Sequence, residues 1–174
     1  MTPPPHLTSR ARGTYGDDRR TPAFVLDAVR RAAGVKNVFL DLASSDAANE
    51  SVRALHYYTA DKPCPALQSA PQRSQAGRLV WCNPPGPVAH VQWFWAAWNA
   101  YVARGALGAF LLFNIDHWRQ VTAPTVAAEV VVVRRRLPFT GPGCSGAGAS
   151  FASALVCAGF SAPRDLGHVV SWVV

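Results

Sequence analysis

Hydrophobic and polar residues alternate in blocks along residues 21–113, and the blocks predict helices and buried strands in turn. The first helix is predicted to start at Thr21, as N-cap, with Pro22 in its first turn, and to end at Gly34. We expect Asp27 and Arg31 to pair on its outer face. Its apolar stripe is predicted to be Phe24, Val25, Ala28, Val29 and Ala32.

Continuous apolar runs predict strands that are buried on both faces. These runs are residues 38–40, 79–82 and 108–113. A short helix within residues 46–58, a strand near 54–58 and a longer helix over 88–104 are predicted between them. This alternation is typical of parallel βαβ units, so the fold class is predicted to be α/β.

The last third of the chain has a different pattern. Apolar and β-branched runs separated by glycine- and proline-rich turns predict antiparallel strands there, at residues 129–133, 151–157 and 168–174. Residues 1–20 are polar, proline- and arginine-rich and without periodicity, which indicates a flexible basic arm. Residues 21–174 are then expected to form a single domain.

Charge and cysteine content narrow the function classes. Lys+Arg is 17 against Asp+Glu 10, a net charge of +7, and nearly all of the cations are arginine. This surplus indicates a polyanionic partner, with an arginine-rich coding bias as the alternative. Four widely spaced cysteines without a Cys-x-x-Cys pair predict no metal site and a reducing, cytoplasmic location. A membrane span is not expected, because Arg104 and two glycines interrupt the longest apolar stretch, residues 93–113.

The segment Asn83-Pro84-Pro85 follows a predicted buried strand. Alone it is also typical of a simple turn, since proline restricts its own backbone and that of the preceding residue. As a functional site it would offer two rigidly held acceptors, the Asn83 side-chain oxygen and the Pro84 carbonyl. Two acceptors can hold an exocyclic amine and direct its nitrogen lone pair at an electrophile. Asp41 follows the preceding buried strand, so both positions are expected at the carboxyl ends of parallel strands.

Three motifs of this chain resemble, in order and spacing, those of the phage-encoded, Dam-like DNA adenine methyltransferases. Thr21-Pro22-x-Phe24 is similar to the start of that family's opening helix. Residues 39–49 (FLDLASSDAAN) are similar to its L-D-x-A-A-S-x-x-x-N loop. Residues 78–85 (RLVWCNPP) are similar to its V-(W/F)-x-N-P-P-Y strand and turn. Arg136-Leu137-x-Phe139 is a weaker match, and the resemblance covers about residues 21–157.

The resemblance implies a compact, Rossmann-like fold that binds S-adenosylmethionine and methylates the exocyclic amine of adenine in DNA. Asn83, Pro84 and Pro85 would be the catalytic residues that hold the target amine. By the same resemblance, the cofactor would be bound by Thr21, Pro22, Asp41, Leu42, Ala43 and Asn49. Asp41 matches the acidic residue that holds the methionine amine in such folds.

One position departs from the family pattern. Gly86 stands where an aromatic residue usually follows the two prolines and stacks on the flipped base. Trp93 and Trp81 are the candidates for a replacement ring, and Arg134, Arg135 and Arg136 are candidates for phosphate contacts. Because of Gly86, two alternatives stay open: a non-catalytic DNA-binding relative, or an enzyme that modifies another amine such as that of cytosine.

Overall fold

The computed structural model describes residues 19–67, 75–86, 88–141, 144 and 151–172. In these residues, helices and strands alternate as far as the middle of the chain, and strands dominate afterwards. The helices are α1 (Ala23–Ala33), α2 (Asp46–Val52) and α3 (Val88–Val102). The strands are β1 (Leu40–Asp41), β2 (His56–Tyr57), β3 (Leu79–Cys82), β4 (Leu107–Leu112), β5 (Ala128–Val133), β6 (Ala154–Ala158) and β7 (Gly167–Trp172).

The strands form one seven-stranded sheet in the order β2-β1-β3-β4-β6-β5-β7. The pairs β1–β2, β1–β3 and β3–β4 are parallel. The pairs β4–β6, β5–β6 and β5–β7 are antiparallel. The predicted α/β class, with antiparallel strands in the last third, is therefore confirmed, whereas the Rossmann-like methyltransferase fold stays a prediction.

Each face of the sheet packs against a different helix. Val25 and Leu26 of α1 belong to the same buried cluster as Trp81 and Leu111. The buried aromatic residues of α3 pack on the other face, against Phe110 and other strand residues. Neighbouring residues of β4, Phe110 and Leu111, therefore point to opposite faces, which explains why the buried strands have continuous apolar runs.

The side on which the chain adds its next strand to the sheet reverses at β1. From β1 the chain passes to β2 at one side, and then returns to place β3 at the other side of β1. In an open α/β sheet, a crevice forms at such a reversal, outside the carboxyl ends of the two strands, and ligands bind there. Asp41 is the last residue of β1 and Asn83 directly follows β3, so both lie at the carboxyl ends of neighbouring parallel strands.

The first helix differs from its prediction in three respects. Its N-cap is Pro22, with no side-chain capping bond, so Thr21 is not the cap. Phe24 is exposed, and Leu26 is buried in its place. Asp27 accepts from Arg30 at 2.9 Å, whereas Arg31 pairs with Asp165. The predicted end is confirmed, because Gly34 adopts the left-handed conformation that closes the helix.

The apolar stretch at residues 93–113 is divided between α3, a turn and β4, as predicted. Among the described helices, none has the length and hydrophobicity that a membrane crossing requires.

Candidate active site

A pocket of about 100 Å³ opens where β3 and β4 end. Sites for complete ligands commonly enclose roughly 300–1,000 Å³, so this pocket suits a small group rather than a whole cofactor. It contains the predicted catalytic segment together with two aromatic residues and one cation. The lining residues are Arg19, Asn83, Pro84, Pro85, Gly86, Phe113 and Phe139.

Two hydrogen bonds orient the side-chain amide of Asn83. Its Nδ2 donates to Thr21 Oγ1 at 3.3 Å and to the carbonyl of Arg19 at 3.4 Å. The amide nitrogen is thereby held on the side of the chain segment before α1. Among the described residues, none donates a hydrogen bond to Asn83 Oδ1. The free acceptor of this amide is therefore the one that an amine in the pocket would need.

Thr21 has a different position from the one predicted. Its side chain is buried and its hydroxyl accepts from Asn83 instead of capping α1. The segment before α1 is held by a short antiparallel bridge between Arg20 and Thr140, with N···O distances of 2.8 and 3.3 Å. Arg20 also pairs with Glu50 at 3.4 Å. The rest of the predicted arm, residues 1–18, lies outside the described residues.

Phe113 lies beside the position of the missing aromatic residue. A Cβ atom added to Gly86 would be 3.4 Å from Cζ of the Phe113 ring. The contact follows from the sheet register, because β3 ends at Cys82, which pairs with Phe110, and β4 ends two residues later at Leu112. An aromatic ring is therefore present next to Gly86, although it comes from the residue that follows β4.

Phe113 is held through both its ring and its backbone. His117 packs edge-on against it, with ring centroids 4.9 Å apart and an interplanar angle of 86°. The carbonyl of Phe113 accepts from Oγ of the fully buried Ser153 at 2.9 Å. Burial lowers the pKa of His117, which favours the neutral imidazole at this contact.

Asp41 is almost completely buried, with 1% of its surface exposed. Its Oδ1 accepts from the backbone N–H of Ala43 at 3.1 Å. Burial raises the pKa of the carboxyl to about 7, against the opposing effect of hydrogen bonds from Ala43 and Ser44. Among the described residues, no cation pairs with it. A ligand amine could supply that missing charge, but it reaches a carboxyl with 1% exposure only if the residues that cover Asp41 move.

Two other predicted cofactor residues have structural roles. Asn49 closes the turn between α2 and β2: its Oδ1 accepts from Ala54 N at 2.8 Å, and its Nδ2 donates to Ala54 O at 3.4 Å. Both ends of its amide are thus used within the fold. The side chain of Leu42 is buried in the core on the α3 side, so it offers a ligand only its backbone. Ala43 is half-buried at the same edge, and Pro22 is half-buried at the start of α1.

Neither predicted replacement ring reaches the pocket. Trp81 is fully buried in the core on the α1 side, so a base entering from solvent cannot stack on it. Trp93 is half-buried on α3 and stacks on His90, with ring centroids 6.1 Å apart, and it does not line the pocket. The structure therefore brings neither ring to the pocket, because Trp81 is buried within β3 and Trp93 lies on α3.

Arg134, Arg135 and Arg136 are exposed directly after β5. Because β4 and β5 are both antiparallel to β6, they run in the same direction, and Leu112 and Val132 both pair with Ala154. The three arginines therefore follow β5 at the same sheet edge as the pocket. This location is compatible with the predicted phosphate contacts.

Sequence reasoning missed Arg19 and Phe113 as pocket residues. Phe139 was part of a weak motif match and lines the pocket. No local signal identifies Phe113, because its place beside Gly86 depends on the parallel pairing of β3 with β4. A scan against models of protein families and a search of curated proteins both find no match to this chain. The resemblance to the phage methyltransferases therefore depends on its motifs.

Proposed function

We propose that this protein transfers a methyl group from S-adenosylmethionine to the exocyclic amine of adenine in DNA. The observation that carries the proposal is the orientation of Asn83. Its Nδ2 is held by Thr21 and Arg19, and its Oδ1 is free to accept from an amine. The pocket beyond it has the size of a small planar group and aromatic residues in its wall.

The chain's own groups would act on the acceptor amine. Asn83 Oδ1 and the Pro84 carbonyl each accept one N–H, which leaves the nitrogen lone pair directed away from both. As the nitrogen forms its bond to carbon, it gains positive charge, and the two fixed acceptors stabilise that charge. The amine then loses one proton to water. S-adenosylmethionine supplies the methyl group, and its sulfur keeps the electron pair of the broken bond.

Asp41 is the residue that would bind the methyl donor, S-adenosylmethionine. A carboxyl at the strand crevice with no cationic partner among the described residues suits an ammonium group. Its pKa of about 7 means that acidification below neutral pH removes the charge that would hold the amine. We expect S-adenosylmethionine affinity to fall about tenfold per pH unit below 7 in the wild type. Asp41→Asn should bind at least tenfold more weakly at pH 8 and lose this pH dependence.

The decisive experiment measures transfer of a tritiated methyl group to unmethylated genomic DNA, followed by digestion to nucleosides. The label is expected in methylated adenine. Asn83→Ala should lower the rate by about 10²–10³ because it removes one acceptor at the developing charge, with cofactor affinity nearly unchanged. Gln92→Ala, which removes an exposed amide on α3, is the matched control and should keep full activity.

Other outcomes identify the alternatives. Label in cytosine would assign the same chemistry to the other exocyclic amine. Cofactor binding without transfer to any DNA would favour the non-catalytic relative, which the Gly86 departure makes a specific candidate. Transfer that survives Asn83→Ala would refute the proposed mechanism.

A further inference from the structure

We infer that Phe113 is the base-stacking residue of this pocket and takes the place of the aromatic residue that Gly86 lacks. The inference rests on the proposed function and deepens it, because it names the ring that selects a planar base. Its starting point is the space beside the segment Asn83-Pro84-Pro85, where a Cβ at Gly86 would be 3.4 Å from Phe113 Cζ.

Glycine at position 86 makes room for the ring of Phe113, which directly follows β4. The same hypothetical Cβ would be 3.9 Å from Cε1 of Phe113, so the ring edge fills the volume next to the glycine. A larger side chain at position 86 and the present position of Phe113 would compete for this volume. The glycine and the phenylalanine thus form a complementary pair between the segments that follow β3 and β4.

Phe113 is also accessible and rigid, as a stacking residue needs to be. It is half-buried and lines the pocket, whereas Trp81 is fully buried. Its ring is fixed by the edge-on contact with His117 and its backbone by Ser153. A ring that is already ordered loses little conformational entropy when a base stacks on it.

A planar group already lies over this ring. The guanidinium carbon of Arg19 is 5.8 Å from the Phe113 ring centroid, and Arg19 lines the same pocket. Guanidinium groups and nucleobases share a preference for aromatic faces. The position over Phe113 therefore suits a flat, partly polar group whose amine faces Asn83.

The test compares binding of a short fluorescent oligodeoxyadenylate with binding of an abasic strand of equal length. The ratio of the two affinities isolates the contribution of the base, since the phosphates are the same. Stacking on an aromatic residue contributes about 1–3 kcal/mol per base, so the wild type should prefer oligodeoxyadenylate roughly fivefold or more. Phe113→Leu keeps the apolar volume and should bring the ratio near one, with abasic binding unchanged.

Three further variants complete the test. Phe113→Tyr should keep the wild-type ratio, and Gly86→Tyr added to Phe113→Leu should restore it. Phe39→Leu is the matched control, because it removes a ring held by His56 and Arg78 at the opposite ends of the strands. An unchanged ratio in Phe113→Leu, or no preference in the wild type, would overturn the inference. The ratio needs neither cofactor nor methyl transfer, so its result is separate from that of the tritium assay.

Discussion

At the residue scale, the hydroxyl group of Thr21 is one of two acceptors, with the Arg19 carbonyl, that hold Nδ2 of Asn83 away from the pocket. Thr21→Val keeps the shape of the side chain but removes the acceptor for Nδ2. One lost hydrogen bond of about 1 kcal/mol should lower kcat about fivefold, with KM nearly unchanged, because the amide then samples the wrong orientation. Thr21→Ser keeps the hydroxyl and should retain wild-type kcat. Steady-state methyl transfer measures both variants, and equal kcat values for Val and Ser would contradict this role.

The buried carboxyl of Asp41 makes a second residue-scale prediction, for stability. Its pKa rises from 3.8 to about 7 on folding, so the native state binds the extra proton between these pH values. Stability contributed by this residue is therefore present below pH 4 and lost as pH rises to 7. Asp41→Asn should be more stable than the wild type at pH 8, by up to roughly 4 kcal/mol, and similar at pH 4. Urea unfolding of both proteins at several pH values gives this difference.

Individual residues of the site differ in how well the sequence could predict their roles. Asn83 and the prolines were predictable because their geometry is local. Asn49 was assigned to the cofactor, but it bonds Ala54 five residues later, a contact set by the left-handed backbone of Arg53. Phe113 acts beside Gly86 through the register of two strands, which no local motif contains.

At the element scale, α3 packs closely on β4 at Gly108. A Cβ there would contact Val102 Cγ1 and lie 2.6 Å from Trp98 Cζ2, both within α3. Gly108→Ala should therefore cost about 1–3 kcal/mol of stability because the helix must move away from the sheet. Gly86→Ala, whose added Cβ meets only ordinary contacts, is the control and should cost much less. Thermal or urea unfolding compares them, and equal stability would contradict this packing.

The turn between α2 and β2 gives a second element-scale prediction. Asn49→Ala leaves the N–H of the buried Ala54 without its partner, which should cost about 1–3 kcal/mol. Asn49→Asp keeps the acceptor and should lose less. Titration of the two folded variants with S-adenosylmethionine separates this structural role from cofactor binding. If Asn49 bound the cofactor directly, both Asn49→Ala and Asn49→Asp would lose much of their affinity for it.

The elements themselves were largely predictable. The strand at residues 79–82 was found with its observed bounds, and α3 and β4 within two residues, because buried strands and helices leave continuous or periodic apolar patterns. The first strand was predicted at 38–40 and observed as Leu40–Asp41. The cap of α1 was mispredicted because Thr21 has a competing partner in Asn83, distant in sequence.

At the scale of the whole molecule, the net charge of +7 and the arginines at the pocket edge predict salt-dependent DNA binding. The logarithm of affinity should fall with the logarithm of salt, with a slope of about −0.9 per phosphate contact. Arg135→Gln should reduce the slope by about one contact. Lys36→Gln, at the amino ends of the strands, should leave it unchanged. Fluorescence anisotropy at several salt concentrations measures the slope, and a flat response would contradict phosphate binding.

The arrangement of the whole sheet was only partly predictable. Hydrophobic pattern and spacing correctly separate a parallel first part from an antiparallel last part. They do not reveal that β6 inserts between β4 and β5, because this order depends on pairings between distant segments. That insertion gives β5 the same direction as β4 and brings the three arginines to the pocket edge.

The bridge between Arg20 and Thr140 has a consequence for proteolysis. It fastens the chain directly beside the pocket, where Arg19 contacts both Asn83 and Phe113. Trypsin cleaves after arginine but needs an extended, detached segment to do so. The peptide bonds after Arg19 and Arg20 should thus be cut at a rate set by how often this bridge opens. A ligand that displaces Arg19 from the ring would alter that rate, so a protease can report on occupancy of the pocket before any substrate is known.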